Sequence, residues 1–87
     1  MSNEELDKKI VDITKQMELV ATDSSVPKNV RSAVTDAKTK LNAQGTYTVR
    51  ISGAIYSIDN ISNDINLPPQ ARTMIWHILS MLESLKG

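Results

Sequence analysis

Apolar residues near the start of the chain fall at Leu6, Ile10, Ile13, Met17 and Val20, spaced four, three, four and three apart, which lays one stripe along a helix. The same spacing returns at Val30, Val34, Ala37 and Leu41, and again at Tyr47, Ile51, Ala54, Ile58 and Ile61. A fourth stripe runs through Ala71, Ile75, Ile78, Leu82 and Leu85, widened by Met74, Leu79 and Met81. No segment alternates apolar and polar residues with the period of two that a strand requires, so the pattern predicts four helices and no sheet. Ser2 followed by Glu5 suits a capping box, and Thr46 suits the N-cap of the third helix. Pro27 fits the first helical position of the second helix, where a missing N–H has no partner to lose, and Gly45 supplies a stop. The polar breaks, Thr22 to Val26, Asn42 to Gly45 and Ser62 to Leu67, are short enough to favour antiparallel neighbours.

The pattern also occurs twice over. Asp23, Val26, Pro27 and Arg31 return as Asp64, Leu67, Pro68 and Arg72, every pair 41 positions apart. The stripes keep that register, pairing Ile10 with Ile51, Met17 with Ile58, Val34 with Ile75 and Leu41 with Leu82. The expected organisation is one domain over residues 1–87, built from an internal repeat of about 1–45 and 46–87, each half a helical hairpin. Two hairpins that each carry an apolar stripe must bury it against each other. The expected fold is therefore all-α, a four-helix up-and-down bundle made of two tandem hairpins. The alternative is a two-unit HEAT-like stack, an arrangement that usually needs about three or more repeats for a continuous core.

Composition narrows the chemistry. With no cysteine, neither a disulfide nor a thiolate is available. Ten basic residues balance ten acidic ones, which argues against a general polyanion binder. The opening residues lack the layout of a signal peptide, and no apolar run approaches the roughly 18 residues that read as a membrane span, so a soluble, cytoplasmic protein without membrane association is expected. His77 is the lone histidine, with Thr73 and Met81 on its face, so no metal or acid–base partner converges on it. The Asx-rich stretch from Asp59 to Asn66 lacks the central Gly and closing Glu of a calcium loop. Three scattered glycines make no phosphate cradle. No catalytic residue, metal, cofactor or small-molecule ligand is expected, and the chain reads as a non-enzyme.

Three surface features remain. The repeated Asp23, Pro27, Arg31 and Asp64, Pro68, Arg72 read foremost as structural caps or ion pairs at the hairpin joints, and secondarily as an Arg pair that binds an anion. Lys28, Arg31, Lys38 and Lys40 form a basic stretch on the second helix. It supports an alternative function as a nucleic-acid-associated accessory protein, although the chain lacks the excess charge and stacking aromatics of that class. The third feature is an apolar surplus: Val49, Gly53 and Tyr56 line a second stripe on the third helix, and Trp76 lies about 100° from Ile75 on the fourth. In the first repeat those positions hold Lys8, Asp12, Lys15 and Thr35. The foremost expectation is thus an interaction module that associates with itself or docks onto another protein through this candidate face. Gly53, costly in mid-helix, is expected to permit close helix approach.

With both Asp-Pro-Arg blocks in place, the stretch from Asp64 to Trp76, preceded by Ile61, Ser62 and Asn63, resembles an archaeal family, the uncharacterised protein family 0147. The resemblance covers nearly the whole chain. It implies a small all-helical cytosolic protein and supplies no activity, cofactor or catalytic residue to transfer. Each half is also loosely similar to a HEAT repeat.

Overall fold

The computed structural model describes residues 1–86. They form four helices: α1 over Asn3–Ala21, α2 over Lys28–Leu41, α3 over Tyr47–Ser62 and α4 over Pro69–Ser84. Each begins where the chain supplies a start. The Ser2 Oγ accepts the backbone N–H of Glu5 at 3.1 Å and donates to the Glu5 carboxylate at 3.2 Å, a side-chain cap at the head of α1 that makes half of the expected capping box. Thr46 Oγ1 accepts the Val49 N–H at 3.2 Å and caps α3 in the same way. Gly45 sets the sharp entry to that cap with φ of +132°, a conformation that side chains disfavour.

The two repeated prolines depart from expectation by one residue. Pro27 and Pro68 are N-caps with extended ψ values of 146° and 147°, and α2 begins at Lys28. Pro69 takes the first helical position of α4 instead. The carbonyls of Pro27 and Pro68 still accept the first helical N–H groups, from Arg31 at 3.0 Å and Arg72 at 2.9 Å. Proline's fixed φ therefore aims the chain into each helix from just outside it.

All four stripes meet in one buried cluster, in which Met17, Val34, Leu41, Ile58, Ile75 and Leu82 are fully enclosed. Helix pairs in contact run α1 with α2, α2 with α3, α3 with α4, and α4 back to α1, with α2 against α3 the most extensive and α1 against α4 the loosest. That is the closed ring of an up-and-down bundle. A stack of two hairpins would set α1 against α3 and α2 against α4 as its principal contacts. Positions 41 apart share their burial: Ile10 with Ile51, Val26 with Leu67, and Val30 with Ala71 are all buried. Small residues at the centre, Ala37 and Ala54, have no exposed surface and let α2 and α3 pack closely.

Candidate functional site

The repeated Asp and Arg residues lie at the hairpin joints, where they bond to the backbone and neighbouring side chains. Asp23 Oδ1 accepts the N–H and hydroxyl of Ser25 at 2.9 and 2.7 Å, which lowers its pKa, the Ser25 hydroxyl contributing most. Asp64 Oδ1 accepts the Asn66 N–H at 2.9 Å, and its Oδ2 accepts the Asn29 amide at 3.0 Å, tying the second joint to the start of α2. Arg31 donates from Nε to the Val26 carbonyl at 3.1 Å. Among the described residues the ion pairs are Lys8–Glu4, Lys38–Glu18 and Lys40–Asp36, so the expected pairing of these aspartates with these arginines is not made. Each Asp is held by the residue two positions on, Ser25 or Asn66, and Asn29 of α2 adds a second bond to Asp64. Arg72 differs from its counterpart: its Nε is buried and has no hydrogen-bond partner.

The basic stretch on α2 does not form a single face. Lys38 pairs with Glu18 of α1, whereas Lys40 turns the other way towards α3. There Lys40 Nζ donates to Ser57 Oγ at 2.9 Å and lies 3.1 Å from Asp36, while the Ser57 hydroxyl donates to Asp36 Oδ2 at 2.6 Å. Among the described residues Ser57 is the buried polar side chain, 6% exposed, and its hydroxyl is the leading cause of a lowered Asp36 pKa, with Lys40 second. Sequence reasoning missed this cluster. Its available signal was a serine beside the α3 stripe together with Asp36 and Lys40 at i and i+4 on α2. A second polar group at the head of α3 was missed as well. Tyr47 donates its hydroxyl to Asp7 at 2.7 Å, raising the tyrosine pKa, and Arg50 donates to the Leu41 carbonyl at 2.9 Å while lying 5.2 Å from the Tyr47 ring.

Of the candidate contact residues, three are open to solvent: Val49 is 66% exposed, Tyr56 65% and Trp76 59%. Gly53 is half-buried beneath Lys40, and the nearest atoms a Cβ there would meet all belong to the Lys40 side chain, at 3.4 to 3.8 Å. That is ordinary contact with a flexible stem, so the helix approach does not demand glycine here. Lys40 continues past Gly53 to stand 5.5 Å from the Tyr56 ring. Val49, Gly53 and Tyr56 thus share the outer edge of α3 nearer α2, while Trp76 stands on α4, the helix flanking α3 on its opposite side. The four residues lie on one hairpin and do not converge into a pocket. His77 is exposed, and no group of three or more His, Asp or Glu residues positioned to hold a metal occurs among the described residues. Among the described residues no helix is long and apolar enough to cross a membrane.

A family model described as an uncharacterised protein family, UPF0147, matches residues 1–85. A UPF0147 protein of Methanothermobacter thermautotrophicus is 40% identical over 87 residues, covering 99% of this chain and 81% of its own. One from Saccharolobus solfataricus is 41% identical over 71 residues, 80% of each chain. The crystal structure of a UPF0147 protein from Thermoplasma acidophilum superimposes with a TM-score of 0.85 at 30% identity, over 93% of this chain and 98% of that one. A second crystal structure, of a protein of unknown function, gives 0.82 at 40% identity over 91% of both chains.

Proposed function

The chain belongs to the uncharacterised protein family UPF0147, and on that premise we propose that it is a non-enzymatic protein-interaction module that works through the outer surface of its second hairpin. The observation that carries this reading is the exposure of Trp76, Tyr56 and Val49, large apolar side chains held on rigid helices. Aromatic residues of this kind anchor protein contacts because they bring wide apolar area with little rotamer entropy to lose. Polar groups that do converge, Asp36, Ser57 and Lys40, bond to one another and leave the serine enclosed. Such an arrangement supports a role in joining helices better than a role in turnover. The basic residues of α2 give a weaker basis for nucleic-acid association, because Arg31, Lys38 and Lys40 already have partners.

The test is photo-crosslinking in the native host, with a photoreactive residue at Ser80, on the outward arc of α4, or at Lys15, on the exposed face of α1. The expected result is a discrete protein adduct from position 80 that position 15 does not give. Absence of any discrete adduct from position 80 would remove the basis for an interaction module.

A further inference from the structure

Three of the four helices are tied to their neighbours by directional polar bonds. Lys38 and Glu18 join α2 to α1, as does Asn42, at the end of α2, through Thr14; Tyr47 joins α3 to α1 through Asp7. Asp36, Lys40 and Ser57 clasp α2 to α3. α4 has no such bond: the side-chain hydrogen bonds it makes, from Thr73 to the Pro69 carbonyl and from Ser84 to the Met81 carbonyl, stay within the helix. It is held to the ring by apolar packing through Ala71, Ile75, Ile78 and Leu82. Its ends are poorly supported as well. Ser2 and Thr46 cap α1 and α3, and α2 places Lys38 and Lys40 in its last turn, whereas α4 has neither a side-chain cap nor a basic residue in its last turn, where Glu83 opposes the helix dipole. Only Pro69 favours its start. The seam between α4 and α1, the loosest of the ring, leaves a hollow of about 170 Å³ between Lys9, Asp12 and Ile13 on one side and Met81 and Ser84 on the other. Docking of α4 also keeps the Arg72 Nε buried without an acceptor.

We propose that α4 is a detachable helix, which leaves the ring in a sub-global opening while α1, α2 and α3 stay assembled. Elements of one fold open with separate free energies, and those held without polar ties and with unsupported ends lie at the low end of that range. Opening gives the Arg72 Nε access to water, so the cost of its orphaned donor is recovered in the opened form and not in the closed one. Once undocked, 16 residues without a side-chain cap are only marginally helical in water, so the backbone bonds of α4 break with the same event. Asn29 holds Asp64 to α2, which marks the joint as the boundary of the opening and spares α3. The event bares Ile75, Ile78 and Leu82 together with the side of the core they cover. Tyr56 stays with the three-helix body and Trp76 departs with α4, so the spacing of the two aromatics is adjustable. The device is independent of what the second hairpin contacts.

Native-state hydrogen exchange of the full chain, followed amide by amide in urea below the unfolding transition, tests this. The side chains of Ile75, Ile78 and Leu82 are as enclosed as those of Met17, Val34, Ala37 and Ile58. The amides of the α4 residues are nevertheless expected to be at least about tenfold less protected than those of the other three helices, with a weaker urea dependence because less surface is exposed. Ser57→Ala supplies a second arm. The clasp persists in the opened form, so its loss is expected to lower protection in α2 and α3 at least about threefold and to leave that of α4 unchanged. Equal protection and equal urea dependence in all four helices of the wild-type protein overturn the proposal. So does a low protection shared by α1 and α4, which would place the opening at their seam, or an α4 protection that falls in step with α2 and α3 in Ser57→Ala. Should that variant not fold, the wild-type comparison decides alone.

Discussion

Two residues in the same repeat position can carry different energetics, and the paired arginines show it. Arg31 donates to the Val26 carbonyl, whereas the Nε of Arg72 is buried without an acceptor. A made hydrogen bond contributes about 1 kcal/mol net, and an orphaned buried donor costs about 1–3 kcal/mol. Replacing each by methionine, which keeps the apolar stem, should consequently give opposite results. Arg31→Met is expected to lower unfolding free energy by about 1 kcal/mol, and Arg72→Met to leave it unchanged or raise it. Urea denaturation of the two variants measures this, and equal losses would show that Arg72 finds a partner in solution. The sequence displayed both arginines and their spacing. It could not display this inequality, because the acceptor is a backbone carbonyl whose direction depends on how each joint turns.

At the level of whole helices, the apolar stripes and caps were legible because they follow from period and local bonding. Ile10, Met17, Ile51 and Ile58 are buried as their spacing requires, and Ser2 and Thr46 cap as their side chains allow. The polar clasp between α2 and α3 was not legible. Asp36, Lys40 and Ser57 are ordinary helix residues until the closure of the ring brings α2 against α3. Gly53 is where the helix account makes its sharpest prediction. Its position admits a methyl group against the Lys40 stem, and glycine in a helix interior is about 1 kcal/mol less favourable than alanine. Gly53→Ala should thus stabilise the protein by about 0.5–1 kcal/mol in thermal or urea unfolding. A loss of stability would mean that α2 and α3 approach more closely than the Lys40 stem permits.

For the molecule as a whole, the decision between a ring and a stack depended on which helices touch, information that a repeat alone does not contain. The contacts close the ring, and closure turns one arc of every helix outward. On the first hairpin that arc is rich in charge, with Val11 and Leu19 exposed among the charges, and on the second it carries fewer charges, Asp59 and Glu83, beside Val49, Tyr56 and Trp76. This asymmetry is what makes the second hairpin a contact surface in the present account, and the four candidate residues were visible in the sequence because they break the repeat. Their arrangement was not: Tyr56 leans on Lys40 from α2, while Trp76 stands alone on α4.

Trp76 is the only tryptophan, so biosynthetic 5-fluorotryptophan places one fluorine reporter on the proposed surface. The direct measurement is its fluorine resonance in dilute purified protein, in concentrated protein and in extract of the native host, each in light and heavy water. With Trp76 on a contact surface, the resonance should show a solvent isotope shift in dilute solution that falls, with a moved or broadened line, once a partner covers the second hairpin. An unchanged resonance with a full solvent isotope shift under all three conditions would contradict it.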